Sequence, residues 1–234
     1  DVTGVQSVLF RSAIFGTARL LKNKGRHLIT SAVEHQAVLQ CFRYLAEKEG
    51  FDVSFLPVDG EGRVNPADLK ASLRPDTVLV SIQAANNEIG TLHPVAEIGA
   101  ICRERGIIFH TDAVQWFGKM PVSSIGQFNA DLVSICSHKF HGPKGAGLLF
   151  SASPFFLKPL LLGGSQENEH RAGTENLAAI AGLALLSGEG TAKAGGFYLP
   201  DNGTQALGRG AAFRSEEHTS ELQSHHDLVC RLLL

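Results

Sequence analysis

Lys139 lies in the segment richest in reactive side chains, residues 131–147 (DLVSICSHKFHGPKGAG), where an apolar run ends in Ser-His-Lys and enters a glycine-rich loop. An amine at a strand end, flanked by small and hydroxyl residues, suits a Schiff base. Partial desolvation and a nearby cation lower its pKa and make the neutral nucleophile available. The competing reading is a solvated loop lysine. Lys144, in the same loop, is the rival amine and equally suits a phosphate contact. In residues 107–118 (IIFHTDAVQWFG), a second apolar run delivers Asp112 at its carboxyl end. A carboxylate there can face a protonated aromatic nitrogen, or simply cap a helix. His35, in SAVEHQAVL, stands at a strand–helix junction, where an imidazole can stack on a planar ring and relay protons near neutral pH. A surface histidine is the alternative.

An amine and a carboxylate at two strand ends form the pair that pyridoxal phosphate (PLP) chemistry requires. The carboxylate keeps the pyridine nitrogen protonated, and the ring becomes an electron sink. Two polar loops could complete such a site. In residues 85–90 (ANNEIG), consecutive amides can bond a phenolic oxygen or close a turn. Residues 163–176 (GGSQENEHRAGTEN) lead into an apolar helix, and Thr174 at its start can offer a hydroxyl to a phosphate beside free N–H groups. Thr174 could also be an ordinary N-cap.

The elements that must position these residues alternate. Residues 27–32 read as a strand, and 36–48 as a helix with Val38, Phe42, Leu45 and Ala46 at helical spacing. Residues 51–56 are strand-like. Residues 66–73 form a short helix with Asn65 as N-cap and Pro66 at the first helical position. Residues 77–82 are a strand buried on both faces. Residues 94–105 are helical, with Gly106 placed as a C-cap glycine. Residues 107–111, 131–136 and 147–150 are further strands, and 174–186 an alanine-rich helix. The pattern predicts an α/β fold, a mostly parallel sheet with helices on both faces. Ligands in such sheets bind beyond the carboxyl ends of the strands.

With 234 residues, 44% hydrophobic and 19% charged, the chain reads as one large globular domain. A net charge of -2 gives no argument for nucleic acid. No apolar run reaches the roughly 18 residues that a membrane span needs. Cys41, Cys102, Cys136 and Cys230 are widely spaced, without a CxxC pair, so no metal site and no disulfide framework is expected. A reducing compartment, the cytoplasm, follows as the default.

SAVEHQAVL, ANNEIG, HTDAVQWFGK, DLVSICSHKFHGPKGAG and GGSQENEHRAGTEN, in this order, resemble the cysteine desulfurases of the class V aminotransferase group, PLP fold type I. The resemblance covers about residues 28 to 182. It implies that the chain carries an incomplete large domain of that fold and that PLP is the cofactor. Lys139 is the implied Schiff-base lysine, Asp112 the pyridinium partner, and His35 the ring-stacking, proton-transferring residue. Asn87 and Gln115 would hold the ring's hydroxyl side. Ser137 and His138 fall in the segment that contacts the cofactor and its phosphate. Thr174 would reach the phosphate of the partner subunit, which implies a homodimer with shared active sites and Arg171 at its interface. Cys136 stands where many relatives have a phosphate-touching serine. The implied substrate is L-cysteine, converted to alanine, with sulfur passed to an enzyme cysteine and on to an acceptor protein for iron–sulfur cluster assembly. A selenocysteine lyase shares these motifs. A dimerising scaffold without cofactor is the non-enzymatic alternative.

The resemblance also shapes the expected domain organisation. Residues 13–187 are expected to be a partial PLP-binding large domain. The family's phosphate loop ahead of the helix near Ala13, and its smaller domain with the sulfur-accepting cysteine, have no counterpart here, so poor catalysis is expected. Residues 1–12 and 214–234 resemble translated sequencing adapter and are expected to be foreign to the natural protein, leaving 188–213 unassigned.

Overall fold

The computed structural model describes residues 3–153, 157–187 and 229–233. The unassigned stretch 188–213 lies outside them, as does most of the tail expected to be foreign. Twelve regular elements follow one another: α1 (Thr3–Leu21), β1 (His27–Ser31), α2 (Gln36–Glu49), β2 (Asp52–Leu56), α3 (Pro66–Ser72), β3 (Thr77–Ser81), α4 (Val95–Glu104), β4 (Ile108–Asp112), β5 (Leu132–Cys136), β6 (Gly147–Ser151), α5 (Leu177–Ser187) and β7 (Val229–Leu233).

The strands form one sheet in the order β2-β1-β3-β4-β5-β6-β7. Strands β1 to β5 are parallel to their neighbours, whereas β6 runs antiparallel to β5 and β7 antiparallel to β6. The expected mostly parallel α/β sheet is therefore observed. β1, β3 and β5 are buried along their whole length, which is why they read as continuous apolar runs rather than alternating ones. One core layer sets Phe10 and Ile14 of α1 and Val38, Phe42 and Leu45 of α2 against Leu28 and Leu79. The other sets Leu69 of α3 and Ile98 of α4 against Ile29, Val80, Phe109 and Val133.

Local signals account for most boundaries. Asn65 caps α3 by accepting from the Ala67 N–H at 2.9 Å, with Pro66 in the first turn. Gly106 adopts φ +66 just past α4, a left-handed turn that a Cβ would strain. Three placements differ from the sequence reading. α1 starts at Thr3, well ahead of Ala13, and buries Leu9 and Phe10 fully. β7 lies within the tail expected to be foreign. α5 starts at Leu177, because Asn176 rather than Thr174 accepts from the Ala179 N–H.

A row of buried polar side chains ties the sheet together. His110 on β4 bonds Ser81 of β3 through Nδ1 at 2.8 Å and Ser134 of β5 through Nε2 at 2.9 Å. His27 on β1 bridges Thr77 of β3 and Ser54 of β2 in the same way, at 2.7 and 2.9 Å.

Candidate active site

The parallel strands bring the expected residues to one edge of the sheet. His35 follows β1, Asp112 is the last residue of β4, and Ser137–Phe140 form a 3-10 turn directly after β5. The chain leaves β1 toward β2 on one side and returns to β3 on the other, so a topological switch point lies between β1 and β3. Crevices at such points are where open α/β sheets bind ligands.

Asp112 is buried, and its Oδ1 accepts from the Val114 N–H at 2.9 Å. A helical turn follows it, with the Phe117 N–H donating to the Ala113 carbonyl at 2.9 Å, and the bond to Val114 caps that turn. Burial pushes its pKa up to about 7, against the Val114 bond and the charge of Lys139, which pull it down. Oδ2 has no hydrogen-bond partner among the described residues. Lys139 is half-buried. Its charge acts on Asp112, His35, Lys119 and His138 alike, so Lys139 is the electrostatic centre of the cluster.

His35 is the N-cap of α2, with Nδ1 accepting from the Ala37 N–H at 3.1 Å. That bond places the proton of the neutral ring on Nε2. Burial, then Lys139, lowers its pKa, so the neutral form dominates. Ser137 is fully buried and its Oγ has no partner. His138 is half-buried and pairs through Nδ1 with the Cys136 thiol at 2.8 Å, while burial pushes that thiol up to about 11.

The outer residues are placed less uniformly. Gln115 is half-buried and accepts through Oε1 from the Lys119 ammonium, which leaves its amide N–H groups to face elsewhere. Asn87 is exposed. Its neighbour Asn86 is the buried amide, donating to the Val33 carbonyl at 3.0 Å and accepting from the Glu88 and Ile89 N–H groups. Asn86 thus closes the turn that the sequence left open. Thr174 is exposed in the loop before α5. Lys144 is also exposed, on the far side of the glycine turn from Lys139. Among the described residues, no cluster of His, Cys, Asp or Glu could hold a metal ion, and no helix is long and apolar enough to cross a membrane.

Sequence reasoning passed over two residues. Glu34, one position before His35, is buried, and its Oε1 accepts from the Ser31 hydroxyl at 2.9 Å and the Gln83 N–H at 2.8 Å. Lys119 orients Gln115. No local signal marks Glu34, because its burial comes from a contact with the segment after β3, 49 residues on.

The residues present fit a pyridine cofactor with a phosphate. A buried carboxylate, an amine within its electrostatic reach, an imidazole protonated on Nε2 and an orphaned buried hydroxyl lie at or just beyond the carboxyl ends of β1, β4 and β5. This combination defines a lysine-centred α/β site at a parallel-sheet edge. The family model for aminotransferase class-V matches residues 10–187, and the chain belongs to that family. Over 171 residues the chain is 54% identical to a cysteine desulfurase IscS of Dictyoglomus turgidum, covering 73% of this chain and 43% of that protein. Over 181 residues it is 48% identical to a cysteine desulfurase IscS of Methanosarcina thermophila, covering 77% and 44%. A solved structure described as SspA in complex with cysteine superposes with a TM-score of 0.73 at 37% identity, covering 80% of this chain and 55% of that one. The chain spans less than half the length of the two IscS relatives.

Proposed function

We propose that this chain is the cofactor-binding core of a PLP-dependent cysteine desulfurase, which takes L-cysteine to L-alanine and delivers sulfur to an enzyme cysteine as a persulfide. The observation that carries the reading is the pairing of a buried carboxylate, Asp112, with the Lys139 amine at the ends of neighbouring strands, with His35 under the influence of the same amine. The names of the IscS relatives, and the cysteine complex of SspA, support the substrate class.

PLP supplies an electron sink for charge that develops on the substrate carbon beside the amine. The chain's own residues do the rest. The Lys139 amine would hold the cofactor and would be the base of the site. The Asp112 carboxylate would keep the ring nitrogen protonated. His35 would lie against the ring and could move a proton through Nε2. Asn87 and Gln115 hold the hydroxyl side, the latter with its amide oriented by Lys119. Ser137 and His138 take the phosphate, for which the unpartnered Ser137 Oγ is a ready donor. Thr174 reaches the phosphate in a partner subunit, so the working unit is a homodimer with Arg171 at its interface. Cys41, Cys102 and Cys136 are buried, so the sulfur-accepting thiol is not one of these three. Residues 13–187 form the cofactor-binding unit. A sulfur-acceptor protein for iron–sulfur cluster assembly is the downstream partner, and the cytoplasm the site of action, in keeping with the free thiols.

The test is direct. Purified chain mixed with PLP is expected to develop the visible absorbance of a lysine-bound cofactor, and borohydride should fix that cofactor on Lys139, as mapped by mass spectrometry. The same absorbance in Lys139→Ala, or fixation on Lys144 instead, overturns the assignment.

A further inference from the structure

We propose that Glu34 is a positioning residue of this site that works as an un-ionised carboxylic acid, anchored through Oε1 and carrying its proton on Oε2. The inference rests on the reading above only in giving Asp112 to the ring nitrogen.

The geometry dictates the protonation state. Glu34 is 5% exposed. Both donors that reach it, the Ser31 hydroxyl at the end of β1 and the Gln83 N–H after β3, converge on Oε1. Oε2 is buried and has no hydrogen-bond partner among the described residues. An ionised carboxylate with one oxygen shut away from water and from any donor carries the full cost of an unpaired buried charge, whereas the acid does not. Among the described residues no cation pairs with it. The charged group that faces it is Asp112 from β4, which disfavours a second negative charge, and the adjacent His35 turns its Nδ1 to the Ala37 N–H. Burial, reinforced by Asp112, accordingly raises the Glu34 pKa to about 8.

The arrangement has two consequences for the site. First, it nails the turn between β1 and α2 to the segment after β3. Oε1 holds the Gln83 backbone, the Gln83 side chain donates to the Val33 carbonyl at 2.7 Å, and Asn86 donates to the same carbonyl. His35 and the ANNEIG turn are therefore set relative to each other through Glu34. Second, it leaves Asp112 as the one carboxyl that ionises when a protonated ring nitrogen arrives, because Glu34 keeps its own proton.

Proton linkage tests this without any catalysis. Gln mimics the acid in shape and neutrality, but cannot release a proton. The folded pKa is raised above the ordinary value of 4.5, so the wild type is expected to lose stability relative to Glu34→Gln as pH climbs from 4.5 to about 8. Between about pH 6 and 7, unfolding of the full chain without cofactor should release about one proton fewer in Glu34→Gln than in wild type, read from the pH slope of the unfolding constant. Equal slopes mean that Glu34 is already ionised in the fold and overturn the inference. Should the variant fail to fold, infrared spectroscopy of the wild type and of Asp112→Asn decides. A protonated-carboxyl band that persists above about pH 6 is expected in both, and its absence overturns the inference. The positioning role has a separate readout: Glu34→Ala should weaken PLP binding about tenfold more than Glu34→Gln does, and equal losses overturn that role. If PLP binds none of these proteins while the proton count holds, the cofactor reading fails and the protonation of Glu34 stands.

Discussion

Asp112 carries a pH signature that can be read on the folded chain alone. Its pKa is raised from 3.8 to about 7 chiefly by burial. A raised acid favours the fold while it is neutral, so its contribution is full below 3.8 and is lost as pH rises to about 7. Asp112→Asn is therefore expected to stabilise the fold at about pH 8, on the order of 1–4 kcal/mol, and to change little at about pH 3. Urea midpoints at the two pH values check this. The same substitution removes the charge partner of the ring nitrogen and should cost about tenfold or more in PLP affinity, measured by absorbance titration. A gain in stability joined to a loss in binding marks a residue kept for the site rather than for the fold. The positions of Lys139, Asp112 and His35 at strand ends were legible in the sequence because each closes or follows a recognisable run, and the strand ends of a parallel sheet meet. Glu34 was not. Its burial depends on β3 passing beside β1, a contact between residues far apart in the chain, and nothing local announces it. Thr174 was misplaced for a different reason. Thr174, Glu175 and Asn176 offer several polar residues before the same helix, and only the packing of α5 selects Asn176 as the cap.

The strands owe part of their order to the histidine bridges. His110 is fully buried between Ser81 and Ser134, and burial pushes its pKa down to about 3. A depressed base supports the fold while neutral, so its contribution is present above 6.5 and is lost as pH falls toward about 3. Acid should thus weaken the chain across that window, and His110→Gln should flatten the dependence by on the order of 1–4 kcal/mol, as judged from urea midpoints at about pH 7 and pH 4. Helix packing offers a second check. A Cβ on Gly99 of α4 would sit 2.1 Å from the Asn129 carbonyl oxygen, a backbone atom that cannot step aside. Gly99→Ala is expected to destabilise by about 1–3 kcal/mol despite its better helix propensity, visible as a lower thermal midpoint. The sequence named the elements from β1 to α5 because buried strands and amphipathic helices have distinct periods. Strand β7 was not named: its apolar stretch is too short to distinguish helix from strand without a partner, and β6 is that partner.

At the scale of the molecule, apolar surface remains to be covered. Leu162 is 84% exposed, Leu177 66% and Leu185 69%, and α5 is apolar nearly all round. A helix apolar on every side is one that something packs against. The proposed homodimer predicts that the chain sediments above its monomer mass. Replacing these leucines with serine should reduce self-association, which analytical ultracentrifugation would register. The sheet edge sets a further condition. His35, the turn at Asn86, Asp112 and Ser137 hang on four different strands and share no segment of chain. A small molecule seated among them becomes a rivet through four loops, and fraying at any one of them must first expel it. Amide hydrogens in those loops, however distant in sequence, should then slow their exchange with solvent together and by a common factor.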